Sequence, residues 1–172
     1  MAKSDNIFLI GLMGVGKTTI GRKLAEKLGK TFLDCDREIE ERTGVTIELI
    51  FEIEGEEGFR RRESAVLDEL TARSNVVIAT GGGAVLGPEN REWLKERGTV
   101  VYLNAPVKIL AGRTQADRKR PLLQTEDRLA RLTELLRERE PFYLEIADVI
   151  INTDDLPMRK VVDSICGSLE SQ

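Results

Sequence analysis

The segment GLMGVGKT at residues 11–18 constrains the fold of this chain more than any other part of the sequence. It matches the Walker A pattern GxxxxGK[ST], in which glycines let the backbone curl tightly so that successive N–H groups point at phosphate oxygens. Lys17 brings a mobile cation to the outer phosphates, and Thr18 offers a hydroxyl to the magnesium ion that accompanies them. The residues predicted to bind the nucleotide here are Gly14, Val15, Gly16, Lys17, Thr18 and Thr19.

The sequence on either side of this loop has the required order of strand, loop and helix. Residues 6–10 form a short apolar run that is typical of a buried parallel strand. In residues 19–28, Ile20, Leu24 and Leu28 recur every four positions, and Gly29 stands where a helix C-cap glycine is expected. The N-terminus of this helix would add a partial positive charge at the phosphates.

Strand and helix signals alternate along the rest of the chain, which indicates an α/β fold with a parallel sheet covered by helices. Further strands are predicted at residues 31–33, 76–79, 100–103 and 149–151, with helices between them. Residues 36–74 hold two or three helices, more than a simple crossover needs, and can form an inserted region over the nucleotide site. A chain of 172 residues fits one domain, spanning residues 1–172.

Composition excludes several classes of function. A net charge of −4 opposes a general affinity for nucleic acid, and no apolar run approaches the length of a membrane span. The few polar residues before the first strand leave no room for a targeting peptide, so we expect a cytoplasmic protein. The chain has no histidine, which removes histidine-based catalysis and most zinc sites. Cys35 and Cys166 lack metal-ligand spacing and are expected to be free thiols.

Two carboxylates follow the second predicted strand. Alternation along the strand would send Asp34 and Asp36 to one side and Cys35 to the other, at the sheet edge where parallel sheets bind ligands. One carboxylate can hold magnesium, directly or through water, and the other can orient a substrate hydroxyl. Because Asn104 rather than an aspartate follows the fourth strand, Asp34 is the better metal candidate. Asp36 could instead simply cap the next helix.

Three groups of arginines could hold an anion. Arg60 and Glu63 share one helical face, and a carboxylate that fixes an arginine makes a rigid clamp, whereas Arg61 and Arg62 are better read as a solvated surface. The basic segment 113–121 ends at a proline and is either a mobile lid or an ordinary surface loop. Arg137 and Arg139 lie near the end of a long helix, where their positive charges could simply interact favourably with the helix dipole.

A triple glycine follows the third predicted strand. Gly81, Gly82 and Gly83 would allow close backbone approach and leave N–H donors for a ligand, although a flexible connection is the alternative.

Taken in order, these segments resemble the shikimate kinase family over nearly the whole chain. The matching pieces are GLMGVGKTTIGR, FLDCDREIE, FEIEGEEGFRRRE, VIATGGGAV, RTQADRKRPLL and REREPFYLEIAD. The resemblance implies a three-layer α/β/α P-loop fold with strand order 2-3-1-4-5, an inserted substrate-binding region at about residues 34–62 and a mobile lid at about residues 112–124. It also implies MgATP-dependent phosphorylation of the 3-hydroxyl of shikimate, on the route to chorismate and the aromatic amino acids.

The resemblance assigns roles to individual residues. It implies that Lys17 binds the β and γ phosphates, that Thr18 and Asp34 hold Mg²⁺, and that Asp36 orients or deprotonates the attacking hydroxyl. Two arginines would grip the shikimate carboxylate near the glycine triplet: Arg60, braced by Glu63, and Arg139, preferred over Arg137 because Tyr143 follows four residues later. Arg120 would be the lid arginine at the transferred phosphoryl group, and Arg113 and Pro157 would pack against adenine. The expected partners are ATP, ADP and shikimate, with no nucleic acid or membrane, and the protein is expected to be a monomer.

Two other readings compete with this one. A gluconate or nucleotide kinase would share the phosphate loop but would not need two arginines for a carboxylate. A nucleotide-dependent switch or binding module would bind ATP without transferring a phosphoryl group, but the chain lacks the NKxD signal of guanine specificity.

Overall fold

A computed structural model describes residues 3–114, 127–154 and 156–172. Its sheet consists of five parallel strands in the order β2-β3-β1-β4-β5. The strands are β1 (Ile7–Ile10), β2 (Thr31–Asp34), β3 (Val76–Ala79), β4 (Thr99–Asn104) and β5 (Val149–Asn152). The predicted α/β class and strand order are therefore confirmed, and each strand lies within one residue of its expected bounds.

The central strands read as continuous apolar runs because helices cover both faces of the sheet. All four residues of β1 and of β3 are buried, whereas the edge strand β5 alternates buried and exposed positions. The side chains of β1 and those of Val76, Val77 and Ile78 in β3 belong to one cluster of buried apolar residues between the sheet and the helices.

Seven α-helices occur in the described residues. They are α1 (Lys17–Leu28), α2 (Cys35–Thr43), α3 (Ile47–Thr71), α4 (Pro88–Arg97), α5 (Val107–Thr114), α6 (Arg128–Ile146) and α7 (Met158–Glu170). A short 3-10 turn, Ala84–Leu86, follows the glycine triplet. Helix α1 packs with α7, and α4 packs with both α3 and α6, which gives a helical layer on each side of the sheet.

The inserted region between β2 and β3 consists of α2 and α3. Helix α3 is broken at Gly55, whose φ of 73° and ψ of −180° are not helical. The two or three helices expected over residues 36–74 are thus α2 and the two segments of α3 on either side of Gly55. The single-domain division stays a prediction. Of the predicted lid, residues 112–114 end helix α5, and residues 115–124 lie outside the described part of the chain.

Candidate active site

The phosphate loop runs from β1 to the first turn of α1. Gly14 and Gly16 have φ angles of 85° and 103°, a left-handed conformation that favours glycine. The side chain of Lys17 is only 8% exposed, and its Nζ donates to the carbonyl oxygens of Gly11 at 2.5 Å and Leu12 at 3.0 Å. The lysine is thus folded over the loop whose phosphates it is predicted to bind.

Asp34 connects the phosphate loop with the inserted region. The hydroxyl of Thr18 donates to Oδ2 of Asp34 at 2.6 Å, while Oδ1 of Asp34 accepts from the backbone N–H groups of Asp36 and Arg37. Asp34 is therefore the N-cap of α2, and the alternative that Asp36 caps this helix is wrong. A hydroxyl and a carboxylate oxygen side by side fit a magnesium ion, which prefers oxygen ligands and completes its shell with water or phosphate.

Asp36 reaches the same edge of the sheet by a different route from the one the sequence suggested. Strand β2 ends at Asp34, and Cys35 and Asp36 lie in the first turn of α2, so strand alternation does not set their directions. Cys35 is fully buried, and burial raises the pKa of its thiol. Both carboxylates nevertheless line one cavity, because the helix begins directly at the end of the strand.

Arg60 is held by a buried carboxylate, as predicted. Its Nη1 donates to Oε1 of Glu63 at 2.9 Å, and the side chain of Glu63 is only 1% exposed. Burial raises the pKa of Glu63, an effect that the neighbouring Arg60 opposes. Arg61 and Arg62 instead point outward and pair with Glu57 and Glu54, in agreement with a solvated charged surface.

Arg139 is the buried arginine of its pair. Its side chain is 1% exposed, whereas Arg137 is exposed, so the helical face of α6 decides between the two candidates. Burial lowers the pKa of Arg139. Its Nε and Nη1 make no hydrogen bond within the described residues, and neither does Nε of Arg60. Buried donors of this kind are usually satisfied by a partner, so these atoms suit an anionic ligand.

The glycine triplet leaves room for the charged side chains around it. A Cβ atom on Gly81 would lie 2.6 Å from Oε2 of Glu63, and one on Gly82 would lie 3.2 Å from Nη1 of Arg139. A Cβ atom on Gly83 would lie 2.6 Å from Cζ of Arg60. Each glycine thus adjoins a different charged side chain and leaves it space that a Cβ atom would occupy, which explains the triplet better than a need for a flexible connection.

These elements enclose a single cavity of about 300 Å³. It is lined by Met13, Gly14, Gly16, Lys17, Thr18, Thr19, Asp34, Asp36, Ile47, Phe51, Phe59, Arg60, Glu63, Thr80, Gly81, Gly82, Gly83, Arg113 and Arg139. The phosphate loop, the two arginines and the glycine triplet thus line one cavity.

Of the two residues predicted to contact adenine, only Arg113 lines the cavity. Arg113 lines the cavity, and its Nη1 lies 3.4 Å from the carbonyl oxygens of Gly14 and Val15. Pro157 is the N-cap of α7 and does not line the cavity, although the adjoining Met158 lies 3.2 Å from where a Cβ on Gly16 would be. Arg120 lies outside the described residues.

Comparison with known proteins decides the family. The family model described as shikimate kinase matches residues 13–170. The chain belongs to the shikimate kinase family. It is 60% identical over 170 residues to a shikimate kinase of Thiobacillus denitrificans, covering 99% of this chain and 93% of that protein. It is also 58% identical to a shikimate kinase of Nitrosococcus oceani, covering 95% of this chain and 86% of that protein.

Solved structures agree with the family assignment. The chain superimposes on the shikimate kinase of Acinetobacter baumannii in complex with shikimate with a TM-score of 0.96 and 52% identity, covering 98% of this chain and 94% of that one. A gluconokinase of Sinorhizobium meliloti matches with a TM-score of 0.60 at 17% identity, which shows a shared fold and no more.

The sequence reasoning missed the apolar wall of the cavity. Ile47, Phe51 and Phe59 line it, and the rings of the two phenylalanines lie 4.8 Å apart on either side of the break at Gly55. Ile47 and Phe51 precede the break in α3 and Phe59 follows it, so the periodicity of a single helix does not group the three residues on one face. The signal that could have found them is the pairing of Phe51 and Phe59 around a glycine in a region already expected to bind substrate.

None of the described helices is both long and apolar enough to cross a bilayer.

Proposed function

We propose that this protein transfers the γ-phosphoryl group of MgATP to the 3-hydroxyl of shikimate. One observation carries this proposal: the guanidinium groups of the partly buried Arg60 and the buried Arg139 border the glycine triplet in the cavity that the phosphate loop also lines. A phosphate loop alone would suit any nucleotide. Two arginines that line the same cavity would select an acceptor that carries a carboxylate.

The charge balance at the acceptor end supports an anionic ligand. Glu63 neutralises Arg60, with which it forms a close ion pair, whereas Arg139 makes no ion pair within the described residues. Arg60 also forms an ion pair of 3.3 Å with Glu56, but the carboxylate of Glu56 is half-exposed to solvent. A bound carboxylate would satisfy the buried donors of Arg139 and the remaining donor of Arg60 through charge-assisted bonds. The partly apolar wall of Phe51 and Phe59 suits the ring of a small carbocyclic acid.

At the donor end, we propose that Lys17 exchanges its bonds to the loop carbonyls for bonds to the β and γ phosphates. Thr18 and Asp34 would hold the magnesium ion, which neutralises charge on the phosphates when bound. Arg113 would lie against the adenine, and Arg120, which lies outside the described residues, would stabilise charge on the transferred phosphoryl group.

In the reaction, the 3-hydroxyl oxygen forms a bond to the γ-phosphorus while the bond from that phosphorus to the β–γ bridging oxygen breaks. Asp36 would accept the hydrogen bond of the attacking hydroxyl and direct its lone pair along the line of transfer. Positioning and charge neutralisation provide most of the rate in such transfers. The hydroxyl proton would leave to Asp36 or to water.

An ADP-release assay with three acceptors tests this proposal. Shikimate, gluconate and nucleoside monophosphates are each supplied with MgATP, and shikimate alone should support rapid release of ADP. Turnover of gluconate without turnover of shikimate would overturn the assignment. Binding of ATP without turnover of any acceptor would instead favour a nucleotide-dependent binding module.

The finer expectations belong to the same proposal. We propose that a monomer is active, which analytical ultracentrifugation during turnover would test. We also propose Mg²⁺ as the divalent ion and the cytoplasm as the site of action. Removal of divalent ions with a chelator should abolish transfer, and addition of Mg²⁺ should restore it.

A further inference from the structure

Tyr143 makes a contact with the glycine triplet that the proposed function does not use. Its side chain is fully buried in α6, and its hydroxyl donates to the carbonyl oxygen of Gly82 at 2.6 Å, across 61 residues of sequence. Burial raises the pKa of Tyr143, so its phenol stays protonated and remains a donor at physiological pH. The bond therefore ties the middle of the glycine triplet to the helix that carries Arg139.

The direction of one carbonyl fixes the direction of the next N–H. A trans peptide is planar, so the C=O of Gly82 and the N–H of Gly83 point in opposite directions. With the carbonyl held toward α6, the N–H of Gly83 points away from that helix. None of the three N–H groups of Gly81, Gly82 and Gly83 donates to an acceptor within the described residues. They remain free for a ligand in the cavity that these glycines line.

The peptide group between Gly82 and Gly83 can rotate easily, because it has a glycine on each side. Gly82 and Gly83 can adopt positive as well as negative φ angles at little cost, so their shared peptide could rotate without a steric penalty from Cβ atoms. A rotated peptide would present a carbonyl where a donor stood. The bond from Tyr143 opposes this rotation.

Other side chains hold the later part of the loop but not this peptide. Asn90 donates to the carbonyl of Ala84 at 2.9 Å, and Arg91 donates to that of Val85 at 2.7 Å. Both come from α4, whereas the carbonyl of Gly82 depends on Tyr143 from α6. Among these side chains, only the hydroxyl of Tyr143 holds the Gly82–Gly83 peptide group in its orientation.

A second tyrosine provides a matched comparison. Tyr102 stacks on Tyr143 with ring centroids 5.0 Å apart, and burial likewise raises its pKa. Its hydroxyl donates instead to side-chain oxygens of Asn104 and Glu140, each 3.4 Å away. The two rings therefore share one environment, but their hydroxyls donate to different acceptors.

We infer that Tyr143 is a positioning residue that holds the carbonyl of Gly82 toward α6 and thereby presents the amides of the glycine triplet to the acceptor. This inference rests on the proposed function for the identity of the acceptor. It predicts that the phenolic hydroxyl contributes to acceptor affinity although it does not line the cavity.

The test compares Tyr143→Phe with Tyr102→Phe. Calorimetric titration with shikimate, without nucleotide, should show a dissociation constant about fivefold larger for Tyr143→Phe, since one hydrogen bond contributes about 1 kcal/mol. The KM for ATP should not change, and Tyr102→Phe should bind shikimate like the natural protein. Replacement of Tyr143 by p-aminophenylalanine keeps the ring and restores an N–H donor, so it should recover most of the affinity.

A spectroscopic measurement keeps the inference separate from the proposed function. The ¹³C carbonyl resonance of Gly82, labelled selectively and read without any ligand, should shift in Tyr143→Phe and stay in place in Tyr102→Phe. If the natural protein binds no shikimate, the proposed function fails, and the carbonyl shift still tests the role of Tyr143. An unmoved Gly82 resonance, an unchanged shikimate affinity, or equal losses in the two phenylalanine variants would each overturn the inference.

Discussion

The hydroxyl of Thr18 donates a hydrogen bond of 2.6 Å to Oδ2 of Asp34, joining the phosphate loop to the residue that caps helix α2. The two oxygens of Asp34 thus have different partners. Oδ1 accepts from the backbone at the start of α2, and Oδ2 faces the phosphate loop. A change at Asp34 can therefore affect the metal, the helix or both, and the choice of substitution separates the two effects.

Asp34→Asn should weaken the response to magnesium while leaving the fold intact. Asparagine caps helices about as well as aspartate but carries no charge for the metal. The Mg²⁺ concentration for half-maximal activity should rise at least about tenfold, with the melting temperature nearly unchanged. Asp34→Ala should add a loss of about 1 kcal/mol in unfolding free energy, since the cap is removed as well. An unchanged magnesium requirement in Asp34→Asn would show that this carboxylate does not serve the metal.

Arg60→Gln should weaken shikimate binding by roughly 2–4 kcal/mol, because two charge-assisted hydrogen bonds are lost. The affinity for ATP, measured by titration with a non-hydrolysable analogue, should barely move. Arg61→Gln is the matched control, since Arg61 is the next residue of the same helix and its side chain is 69% exposed. Equal losses for both ligands would refute the role of Arg60.

Asp36→Asn should lower kcat by about a hundredfold or more, as general-base and hydroxyl-orienting groups typically contribute that much. The backbone N–H of Asp36 bonds to Asp34 whatever its side chain, so the helix cap survives the change. Glu41→Gln, on the exposed side of α2, serves as the control and should leave kcat unchanged. A kcat for Asp36→Asn equal to that of the control would remove Asp36 from the chemistry.

Gly83→Ala should displace Arg60 and weaken acceptor binding by about 1.5–3 kcal/mol, the range for a hydrogen bond to a charged group. The new Cβ would lie 2.6 Å from Nη1 and Cζ of Arg60. Gly167→Ala provides the opposite case, because nothing lies within 4 Å of its new Cβ and it stands inside helix α7. That control should stabilise the protein by about 0.5–1 kcal/mol and leave shikimate binding alone. Unaltered shikimate affinity in Gly83→Ala would contradict the steric account of the triplet.

Glu63 should make the unfolding free energy depend on pH. Burial raises its pKa above the ordinary value of 4.5, so between that value and the raised one the native state binds more protons than the unfolded state. The contribution of Glu63 to stability is therefore present below pH 4.5 and is lost as the pH rises through the raised pKa.

Glu63→Gln removes this titration, so the unfolding free energy of the variant minus that of the natural protein should increase with pH over that window. Urea denaturation at closely spaced pH values measures the difference. The absolute stability of the variant also loses the ion pair to Arg60, so the slope is the test. A difference that is flat or falls with pH would contradict a raised pKa.

Much of the donor site could be read from the sequence because its residues are local. The phosphate loop, its strand and its helix occupy one continuous segment, and the left-handed angles of Gly14 and Gly16 are those that only glycine adopts readily. The strands were recognisable for a similar reason, since burial on both faces of a parallel sheet leaves continuous apolar runs. Asp34 lies at the end of β2, as its place in the sequence indicated, but the helical turn that begins directly after it could not be distinguished from a longer strand.

The acceptor site depended on contacts between distant parts of the chain. That Arg139 rather than Arg137 faces inward follows from which side of α6 packs against the sheet, and both have the same side-chain chemistry. The bond between Tyr143 and Gly82 spans 61 residues, and no spacing in the sequence indicates it.

By itself, the sequence determined the α/β class, the phosphate loop and the residue types available for binding an anion and orienting a hydroxyl. The tertiary structure decided which of those residues meet, since it brings α3, α6 and the glycine triplet to the carboxyl edge of the sheet beside the phosphate loop. The physical reason is that backbone conformation and apolar patterning are set by neighbours along the chain. Burial and the pairing of charges are set by neighbours in space.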